Sequence, residues 1–293
     1  MQKKKNIAII GGDARYLPLI HALNKMSDFR IQILGFEQVE QSYTGVMQST
    51  IDSLETSDLD GVILPITGVD NQGNVETMFS NQPIQLTKQW FQSLPKHCRV
   101  FTGISNNTLN EFVSSSNVSL VKLMERNDVA IYNSIPTAEG AIMLAIQHTD
   151  ITIHHAQVFV FGYGRVGETT ADSFAGLGAN ISVISESESD LARIYQKGWA
   201  GYSIDQIEHE IEKCQILINT IPARVIDKSL LEKMNSQAII IDLASKPGGV
   251  NFEFAKKRGI QAIHALGLPG MVAPKTAGEI LADRIATLLL SSQ

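Results

Sequence analysis

The stretch VFVFGYGRVGETTADSFAGLGANISVISES, residues 158–187, constrains the fold of this chain more than any other segment. It has an apolar strand, a GxGxxG turn, a helix and a second apolar strand, the order found in a dinucleotide-binding βαβ unit. Gly162 permits a tight turn, Gly164 lets the backbone approach a pyrophosphate, and Gly167 lets the helix pack closely on the strand. The N–H groups and the dipole of the helix start favour an anion. The segment therefore predicts a bound dinucleotide, and the alternative is a glycine-lined turn that binds nothing.

The end of the second strand bears on the choice between NADP and NAD. An NAD site usually has an aspartate there, which binds the ribose 2′-hydroxyl. Ser185 takes that place and leaves room for the 2′-phosphate of NADP, which Ser187 could bind, whereas Glu186 would repel the phosphate unless it points away. Both cofactors stay open, with NADP slightly favoured. The predicted cofactor contacts are Gly162, Tyr163, Gly164, Arg165, Val166, Gly167, Ser185, Glu186, Ser187, Thr220, Pro222, Ser245 and Gly267.

Short apolar runs alternate with segments of helical spacing along the whole chain. This alternation is typical of parallel sheets covered by helices on both faces. For 293 residues we expect an α/β protein of two doubly wound, Rossmann-like domains with a cleft between them. We place a substrate and partner domain at residues 1–133 plus 275–293, and an NAD(P)-binding domain at 134–274.

Two helices are expected to connect these domains. The segment NSIPTAEGAIMLAIQHT predicts a linking helix over 134–149, with Pro136 at its first position. The last helix, roughly Lys275 to Ser291, has an apolar stripe that needs a surface to cover, so we expect it to cross back to the first domain. Residues 67–83 are polar and rich in Gly and Asn, which predicts a loop that is either a lid or a plain surface excursion.

Composition argues against several classes of partner and site. The 30 acidic and 24 basic residues give a net charge of −6 without a basic stripe, so no nucleic-acid partner is expected. The two cysteines lack the spacing of metal ligands, and their small number fits a reduced cytosol. The side chains of the adjacent His154 and His155 are expected to point to opposite sides of the chain. No metal site is therefore expected. The start MQKKKNIAIIGG reads as a strand rather than an export signal, and no apolar run approaches the length of a membrane span. These features predict a soluble, cytoplasmic protein.

Several polar residues follow strands or begin helices, where substrates are commonly bound. The turn IGGDAR of the first half lacks the GxGxxG spacing. It is a mononucleotide site, a place where Arg15 binds a substrate carboxylate, or a turn in which Arg15 is only a solvated residue of the first helical turn. Ser105 and Asn106 follow a strand of the same half. Ser134 and Thr137 lie at the predicted start of the linking helix, where N–H groups bind a carboxylate or where these side chains only cap the helix.

Two lysines are candidates for attracting an anionic substrate. Lys246 follows a strand on the nicotinamide side of the second half, and Lys275 begins the final helix after LPGMVAP. Exposed lysines are common on protein surfaces, which is the alternative for both. The predicted catalytic residues are Lys246, Lys275 and Ser134.

Long strings over nearly the whole chain carry a family resemblance. They are IGGDAR, FTGISN, LVKLMERNDVAIYNSIPTAEGAIMLAIQHTD, INTIPA, DLASKPGG and LGLPGMVAPKTAGEIL. On these strings the chain resembles the A subunits of bacterial dipicolinate synthase, a sporulation enzyme of Bacillus and its relatives. The segment NSIPTAEGAIMLAIQ followed by GYGRVG is also similar to the linking helix and cofactor turn of 2-hydroxyacid and alanine dehydrogenases. The catalytic His and Arg pair of that wider group cannot be placed in this sequence, so its mechanism is not carried over.

The resemblance implies oxidation of a dihydrodipicolinate, supplied by the lysine pathway, to dipicolinate (pyridine-2,6-dicarboxylate), with NADP or NAD accepting the hydride. It also implies a partner, the flavoprotein-like B subunit of the synthase, with synthesis in the mother-cell cytosol, and we expect a homo-oligomer. Loss of a hydride and a proton makes the ring aromatic, so the reaction needs alignment more than a strong base. A dicarboxylate needs cations on both sides of the ring, for which the candidates are Arg15, Lys122, Lys246 and Lys275.

Two other functions fit the same sequence. The first is an NAD(P)-dependent oxidoreductase that acts on another small 2-hydroxy or 2-amino acid. The second is a cofactor-binding subunit whose chemistry is completed by its partner. The fold alone does not choose among these functions.

Overall fold

A computed structural model describes residues 3–39 and 44–291. The chain divides into two compact units, the first comprising residues 1–132 and 273–293 and the second residues 133–272. It therefore passes from one unit to the other twice. The two boundaries lie one and two residues before the positions expected from the sequence.

The first unit is built on a parallel sheet of six strands. Its elements are β1 (Lys5–Ile10), α1 (Tyr16–Lys25), β2 (Phe29–Leu34), β3 (Val46–Gln48), β4 (Gly61–Ile63), β5 (Asn74–Val75), β6 (Ile84–Gln85), α2 (Lys88–Gln92), β7 (Arg99–Thr102), α3 (Asn107–Ser114) and β8 (Ser119–Lys122). The strand order is β3-β2-β1-β4-β7-β8, and each neighbouring pair is parallel. The strands β5 and β6 form a separate antiparallel pair.

The second unit repeats this architecture. The helix α4 (Asn127–His148) leads into it, followed by β9 (Gln157–Phe161), α5 (Arg165–Gly176), β10 (Asn180–Ile184), α6 (Glu188–Gln196), β11 (Ala200–Tyr202), α7 (Ile204–Ile207), β12 (Ile216–Asn219), α8 (Lys228–Lys233), β13 (Ile239–Asp242), α9 (Phe252–Lys257), β14 (Gln261–His264) and α10 (Leu268–Val272). Its parallel sheet has the order β11-β10-β9-β12-β13-β14. Both sheets thus share the doubly wound order, in which the first strand is central and the direction of winding reverses beside it. The predicted α/β fold of two Rossmann-like domains is confirmed.

Each sheet is buried on both faces, as its apolar strands predicted. In β1, Ile7 and Ile9 pack on one face in a cluster that includes Leu19 of α1, whereas Ala8 and Ile10 pack on the other face. Successive side chains of a strand point to opposite faces, so a strand that is apolar throughout must have helices or loops on both. This accounts for the continuous apolar runs in the sequence.

The last helix returns to the first unit, as predicted. This helix, α11 (Pro274–Leu290), packs along α1, and its Leu281 and Ile285 belong to the core cluster that contains Leu19. At Gly278 a Cβ atom would lie 2.2 Å from the backbone oxygen of Arg15. The glycine therefore allows the two helices to approach closely.

The predicted start of the linking helix was wrong. The helix α4 begins at Asn127, seven residues before Ser134 (134 − 127 = 7), and Pro136 lies inside it. Proline has no N–H, so the carbonyl of Tyr132 loses its intrahelical donor. The alanines after the proline are fully buried, and their packing outweighs this local loss: Ala138, Ala141 and Ala145. Ser134 and Thr137 are consequently not at a helix start.

The same helix corrects the expectation about membrane spans. Within the described residues, α4 is the one helix with the length and composition to cross a membrane, with a mean hydropathy of 1.3 over its best window. Of that window, 44% is buried inside the protein, and the core helix of a soluble protein passes the same test. The helix is therefore weak evidence for a membrane span.

The polar segment 67–83 is mostly irregular, but it is tied to the first sheet. Its β5 pairs with β6, and the Gly12 N–H donates to the Glu76 carbonyl at 2.8 Å. The Met78 N–H donates back to the Gly12 carbonyl at 3.1 Å. The middle of the segment is therefore fixed against the turn that follows β1.

Candidate cofactor-binding site

The glycine turn after β9 has a shape that only glycine allows at two of its positions. Gly162 has a φ of 92°, and a Cβ there would lie 2.5 Å from the hydroxyl oxygen of Thr220. A Cβ on Gly167 would lie 2.1 Å from the backbone oxygen of Gly162. The first glycine therefore makes the turn and the third lets α5 pack against it, which are the roles that the motif predicted.

Gly164 differs from both because it faces open space. Apart from its chain neighbours and the backbone of α5, no heavy atom of the described residues lies within 4 Å of a Cβ built on Gly164, so packing does not require a glycine there. Gly164 is also the N-cap of α5, and it provides no side-chain hydrogen bond to the helix start. A bare helix start with free space above it is a fitting cradle for a pyrophosphate, which the first N–H groups of the helix would bind.

The side chain of Tyr163 turns into the second unit rather than towards the open space. It is 6% exposed and belongs to the core cluster beneath the turn, and among the described residues its hydroxyl has no hydrogen-bond partner. Burial raises the pKa of this hydroxyl. Only the backbone of Tyr163 is thus in a position to contribute to a cofactor site, whereas Arg165 is exposed and Val166 half-buried at the start of α5.

The three residues after β10 are held by hydrogen bonds within the loop. The Ser185 hydroxyl donates to Asp190 at 3.1 Å and accepts from the Ser187 N–H at 3.2 Å. Ser187 is the N-cap of α6 and accepts from the Asp190 N–H. Glu186 accepts from the Ile204 N–H at 2.7 Å. The loop is therefore fixed, with two carboxylates beside Ser185.

The remaining predicted cofactor residues follow β12, β13 and β14 along the same sheet edge. The Thr220 hydroxyl donates to the Phe161 carbonyl at 2.8 Å, next to the glycine turn. Pro222, Ser245 and Gly267 are exposed in the loops that follow the strands. The fold thus brings the predicted cofactor residues of the second unit to one edge, because parallel strands end together.

A buried carboxylate that the sequence analysis missed holds the loop after β13. Asp242 is fully buried and accepts from Asn219 Nδ2 at 2.7 Å, from the Ala244 N–H at 3.1 Å and from the Gly249 N–H at 2.8 Å. His264 Nε2 bonds the Ala244 carbonyl at 2.9 Å. The sequence signal was a charged residue that ends the otherwise apolar strand IIID.

Lys246 lies on the loop that Asp242 holds. Its side chain is exposed, next to the exposed Ser245. Lys275 belongs to the first unit, where it is exposed in the first turn of α11. Within residues 3–39 and 44–291, neither lysine has an ion-pair partner.

Arg15 forms an ion pair with Asp13, two residues before it in the chain. It is 7% exposed and pairs with Asp13, with Nε 2.9 Å from Oδ1 and a further contact from its terminal nitrogen. Burial alone would raise the pKa of Asp13. The hydrogen bonds and the positive charge of Arg15 lower this pKa by more than burial raises it, so the net pKa lies below its usual value. The pair is therefore ionised, and a substrate carboxylate would have to share Arg15 with Asp13.

The turn of the first unit also differs from the turn of the second. The Gly12 N–H is bound by Glu76, as described above, and a Cβ on Gly11 would lie 2.4 Å from the same carbonyl. The backbone that would bind a phosphate is thus occupied by the protein. This geometry does not favour the alternative of a mononucleotide site there.

The other candidates of the first unit have partners of their own. Ser105 donates to Asn110 at 2.9 Å, and Asn106 caps α3 by accepting from the Leu109 N–H at 2.8 Å. Lys122 pairs with Glu125 at 3.1 Å. Asn106 thus has a structural role as a helix cap, and the positive charge of Lys122 is partly neutralised by Glu125.

Ser134 and Thr137 lie within the part of α4 that belongs to the second unit. The Ser134 hydroxyl is 2.7 Å from that of Thr169, and Ser134 is 1% exposed. The Thr137 hydroxyl donates to the Asn133 carbonyl at 2.8 Å. Since no helix starts here, the predicted anion site of helix N–H groups does not form at these residues.

The expectation about the paired histidines was wrong. His155 has a φ of 65°, so the chain is not extended there, and the ring centroids of His154 and His155 are 4.0 Å apart. In the described residues, no group of three or more His, Cys, Asp or Glu side chains is placed to hold a metal ion.

Known proteins similar to this chain agree with the geometry of both units. A family model described as the N-terminal domain of the dipicolinate synthase A subunit matches residues 6–124, and one described as alanine dehydrogenase/PNT, C-terminal domain matches residues 106–292. The dipicolinate synthase A subunit of Bacillus subtilis (strain 168) is 46% identical over 287 residues, which cover 98% of this chain and 96% of that protein.

Two solved structures of the same kind are similar over nearly their whole length. The dipicolinate synthase A subunit of Bacillus halodurans is 49% identical with a TM-score of 0.90, covering 98% of both chains. The A chain of dipicolinate synthase from Bacillus subtilis is 45% identical with a TM-score of 0.94, covering 99% of this chain and 97% of that one. With these relatives and an open dinucleotide cradle in its second unit, the chain belongs to the family of dipicolinate synthase A subunits and has a nucleotide-binding domain of the dehydrogenase type.

Proposed function

We propose that this chain oxidises a dihydrodipicolinate to dipicolinate with a nicotinamide cofactor. The observation that carries the proposal is the open space above Gly164, at a bare helix start, in a chain 46% identical to the dipicolinate synthase A subunit of Bacillus subtilis. Such a turn is built for the pyrophosphate of a dinucleotide.

The backbone of residues 162–167 would hold the pyrophosphate, and the loop 185–187 would hold the adenosine ribose. When bound, the cofactor supplies a hydride acceptor. The substrate loses two hydrogens, one as a hydride with the electron pair of a C–H bond and one as a proton that passes to a base or to water. Since the product ring is aromatic, we infer that the main task of the protein is to align the substrate.

Lys246 is the residue of the second unit that we assign to a substrate carboxylate. It is exposed and without an ion pair in the described residues, and it lies on the sheet edge that carries the glycine turn. Its loop is held at both ends by Asp242 through the N–H groups of Ala244 and Gly249. A lysine on such a fixed loop can hold an anion with little loss of conformational entropy.

Lys275 is the candidate that we favour in the first unit. It lies in the first turn of a helix, where the dipole disfavours a cation, so no local interaction accounts for a lysine there. Arg15 and Lys122 remain weaker candidates because each is already paired with a carboxylate. The contacts of Ser105, Asn106, Ser134 and Thr137 give each a structural role, and we assign no substrate contact to them.

We also propose that the chain works with a B subunit in the mother-cell cytosol of a sporulating bacterium. The support is the family, whose members are named as one lettered subunit of a synthase. A homo-oligomer remains an expectation.

The test is an absorbance assay of reduced nicotinamide. The purified chain is mixed with NAD or NADP and freshly prepared dihydrodipicolinate, with and without a B subunit, and then with small 2-hydroxy and 2-amino acids. We expect reduced cofactor from the dihydropyridine. Product formed only with the B subunit would instead mean that the chain is a cofactor-binding subunit, and activity confined to hydroxy or amino acids would overturn the proposed substrate.

A further inference from the structure

We propose that Asn219 and Asp242 form a positioning pair, which fixes the two loops of the second unit that face the nicotinamide end of the cofactor. This inference rests on the proposed function, because it concerns the same dinucleotide site. The loops are residues 220–226 after β12 and residues 243–250 after β13. In the sheet, β10 lies on one side of β9 and β12 on the other. A dinucleotide whose adenosine lies beyond β10 therefore extends its nicotinamide towards these two loops.

Asn219 fixes the start of the first loop. This residue is fully buried, and its side chain accepts from the Ile221 N–H at 3.1 Å and donates to the Ile221 carbonyl at 3.0 Å. The same Nδ2 atom donates to Asp242 Oδ1 at 2.7 Å. One amide thus sets both the path of the chain after β12 and the distance of that chain from the end of β13.

The backbone of the second loop lies directly on the two buried side chains. A Cβ on Gly248 would lie 2.6 Å from Asp242 Oδ2, and a Cβ on Gly249 would lie 2.3 Å from Asn219 Nδ2. The Gly249 N–H donates to Asp242, and the Gly249 carbonyl accepts from the Ile226 N–H at 3.0 Å. The two loops are therefore bound to the same pair and to each other.

The charge of Asp242 argues for a role beyond stability. Asp242 is fully buried, and it forms no ion pair within residues 3–39 and 44–291. A carboxylate buried without a cation is costly, and a well-packed apolar residue is often the more stable choice at such a place. Its hydrogen bonds to Asn219 and to two backbone N–H groups offset that cost only while both loops keep their geometry. The carboxylate thus selects one arrangement of the loops.

The pair acts on a ligand only through the loops, because both of its side chains are fully buried. Loops that are already ordered bind a ligand without the entropy loss of ordering them. The pyrophosphate and the adenosine depend instead on the glycine turn 162–167 and on the loop 185–187. Disturbing the pair should therefore weaken binding of the nicotinamide end and spare the rest of the dinucleotide.

The experiment compares the whole cofactor with the part that lacks nicotinamide. The full chain is titrated calorimetrically with NAD and NADP, and with ADP-ribose and its 2′-phosphate form. Asn219→Ala removes the hydrogen bonds between the loops and the pair, whereas Gly249→Ala keeps both polar side chains and adds a methyl group against Asn219. For both variants we expect the cofactor to bind about tenfold more weakly, while the affinity for the ADP-ribose part changes by less than about twofold.

The matched control is Gln215→Ala at the opposite edge of the same sheet. Gln215 is half-buried and accepts from the Gln157 N–H at 2.9 Å, which links the starts of β9 and β12. This variant loses the same kind of link between strands, so it should lower the stability without changing either affinity. Urea unfolding of each variant measures the loss of stability separately from the loss of binding.

The outcomes separate this inference from the proposed function. Equal weakening of cofactor and ADP-ribose, or no weakening of either, would overturn the positioning role while the dinucleotide site stands. A selective loss in Gln215→Ala as large as that in the test variants would overturn it as well. If Asn219→Ala does not fold, Gly249→Ala alone decides. Binding of none of these ligands by the original chain would overturn the dinucleotide site and the positioning pair together.

Discussion

At the scale of single residues, Gly164 is a position where a side chain should block a ligand without disturbing the fold. Its Cβ would meet no protein atom within 4 Å. We predict that Gly164→Val lowers the free energy of unfolding by no more than about 1 kcal/mol, because valine is a poorer N-cap than glycine, while the affinity for the nicotinamide cofactor falls at least about tenfold. The measurements are urea unfolding and calorimetric titration.

Gly176 provides the matched control on the same helix, because a Cβ there also meets nothing within 4 Å. Gly176→Val should leave the cofactor affinity unchanged. Equal affinity losses in both variants would mean that the open space at Gly164 is not a ligand site.

The ion pair of Asp13 and Arg15 gives a pH-dependent prediction. Because folding lowers the pKa of Asp13, the unfolded chain binds the proton more readily than the folded chain. The contribution of the pair is complete above the unfolded pKa, about 4, and is lost as the pH falls through the folded value. We predict that Asp13→Asn lowers the free energy of unfolding by about 3 kcal/mol at neutral pH, since it leaves a buried arginine unpaired.

This difference should shrink as the pH of the unfolding measurement falls below about 4, because the unfolded chain then takes up the proton that the ion pair excludes. The exposed Asp52→Asn is the control and should change little at either pH. A difference that stays constant with pH would contradict the ion-pair explanation.

The residues of the glycine turn could be predicted from sequence because their chemistry is local. The motif, the flanking strands and the helix all lie within about thirty residues, so spacing alone identified Gly162, Gly164 and Gly167. The network of Asp242 could not be predicted in this way. Its partner Asn219 ends a different strand, and only the parallel pairing of β12 with β13 brings the two side chains together.

At the scale of elements, the contact between α1 and α11 depends on Gly278. A Cβ there would lie 2.2 Å from the Arg15 carbonyl, so a side chain must push the helices apart. We predict that Gly278→Ala lowers the free energy of unfolding by about 2 kcal/mol. By contrast, Gly176→Ala in α5 should stabilise slightly, because alanine favours a helix by up to about 1 kcal/mol over glycine. Thermal and urea unfolding measure both, and a neutral Gly278→Ala would contradict the packing argument.

Strands were easier to predict than the start of α4. The strands read as continuous apolar runs because both faces of each sheet are covered, and the glycine motif located α5. For α4, a local rule placed Pro136 at the first helical turn, whereas packing of the alanines that follow carries the helix through the proline. The short edge strand β11 has the sequence AGY, which carries no apolar pattern that would predict a strand.

At the scale of the whole molecule, the first unit needs the C-terminal end of the chain. The helix α11 places Leu281, Ile285 and Leu289 in the core of this unit. Burial of each side chain contributes about 1.5–3 kcal/mol, so their sum is comparable with the whole stability of a domain, about 5–15 kcal/mol. We predict that a chain ending at Val272 loses the fold of the first unit and keeps that of the second.

Limited proteolysis with mass spectrometry tests this prediction. Fragments of residues 1–132 should disappear first, while a fragment close to 133–272 persists and still binds the cofactor. Equal resistance of both units, or earlier loss of the second, would contradict it.

The carbonyl of Glu76 that closes the turn after β1 has a consequence for stoichiometry. Two sheets of the same strand order would ordinarily provide two equivalent turns for binding a nucleotide. In the first unit, however, the Glu76 carbonyl already accepts the hydrogen bond of the turn. Cofactor binding should therefore saturate at one dinucleotide per polypeptide. The first unit can bind a different ligand without competing for the cofactor.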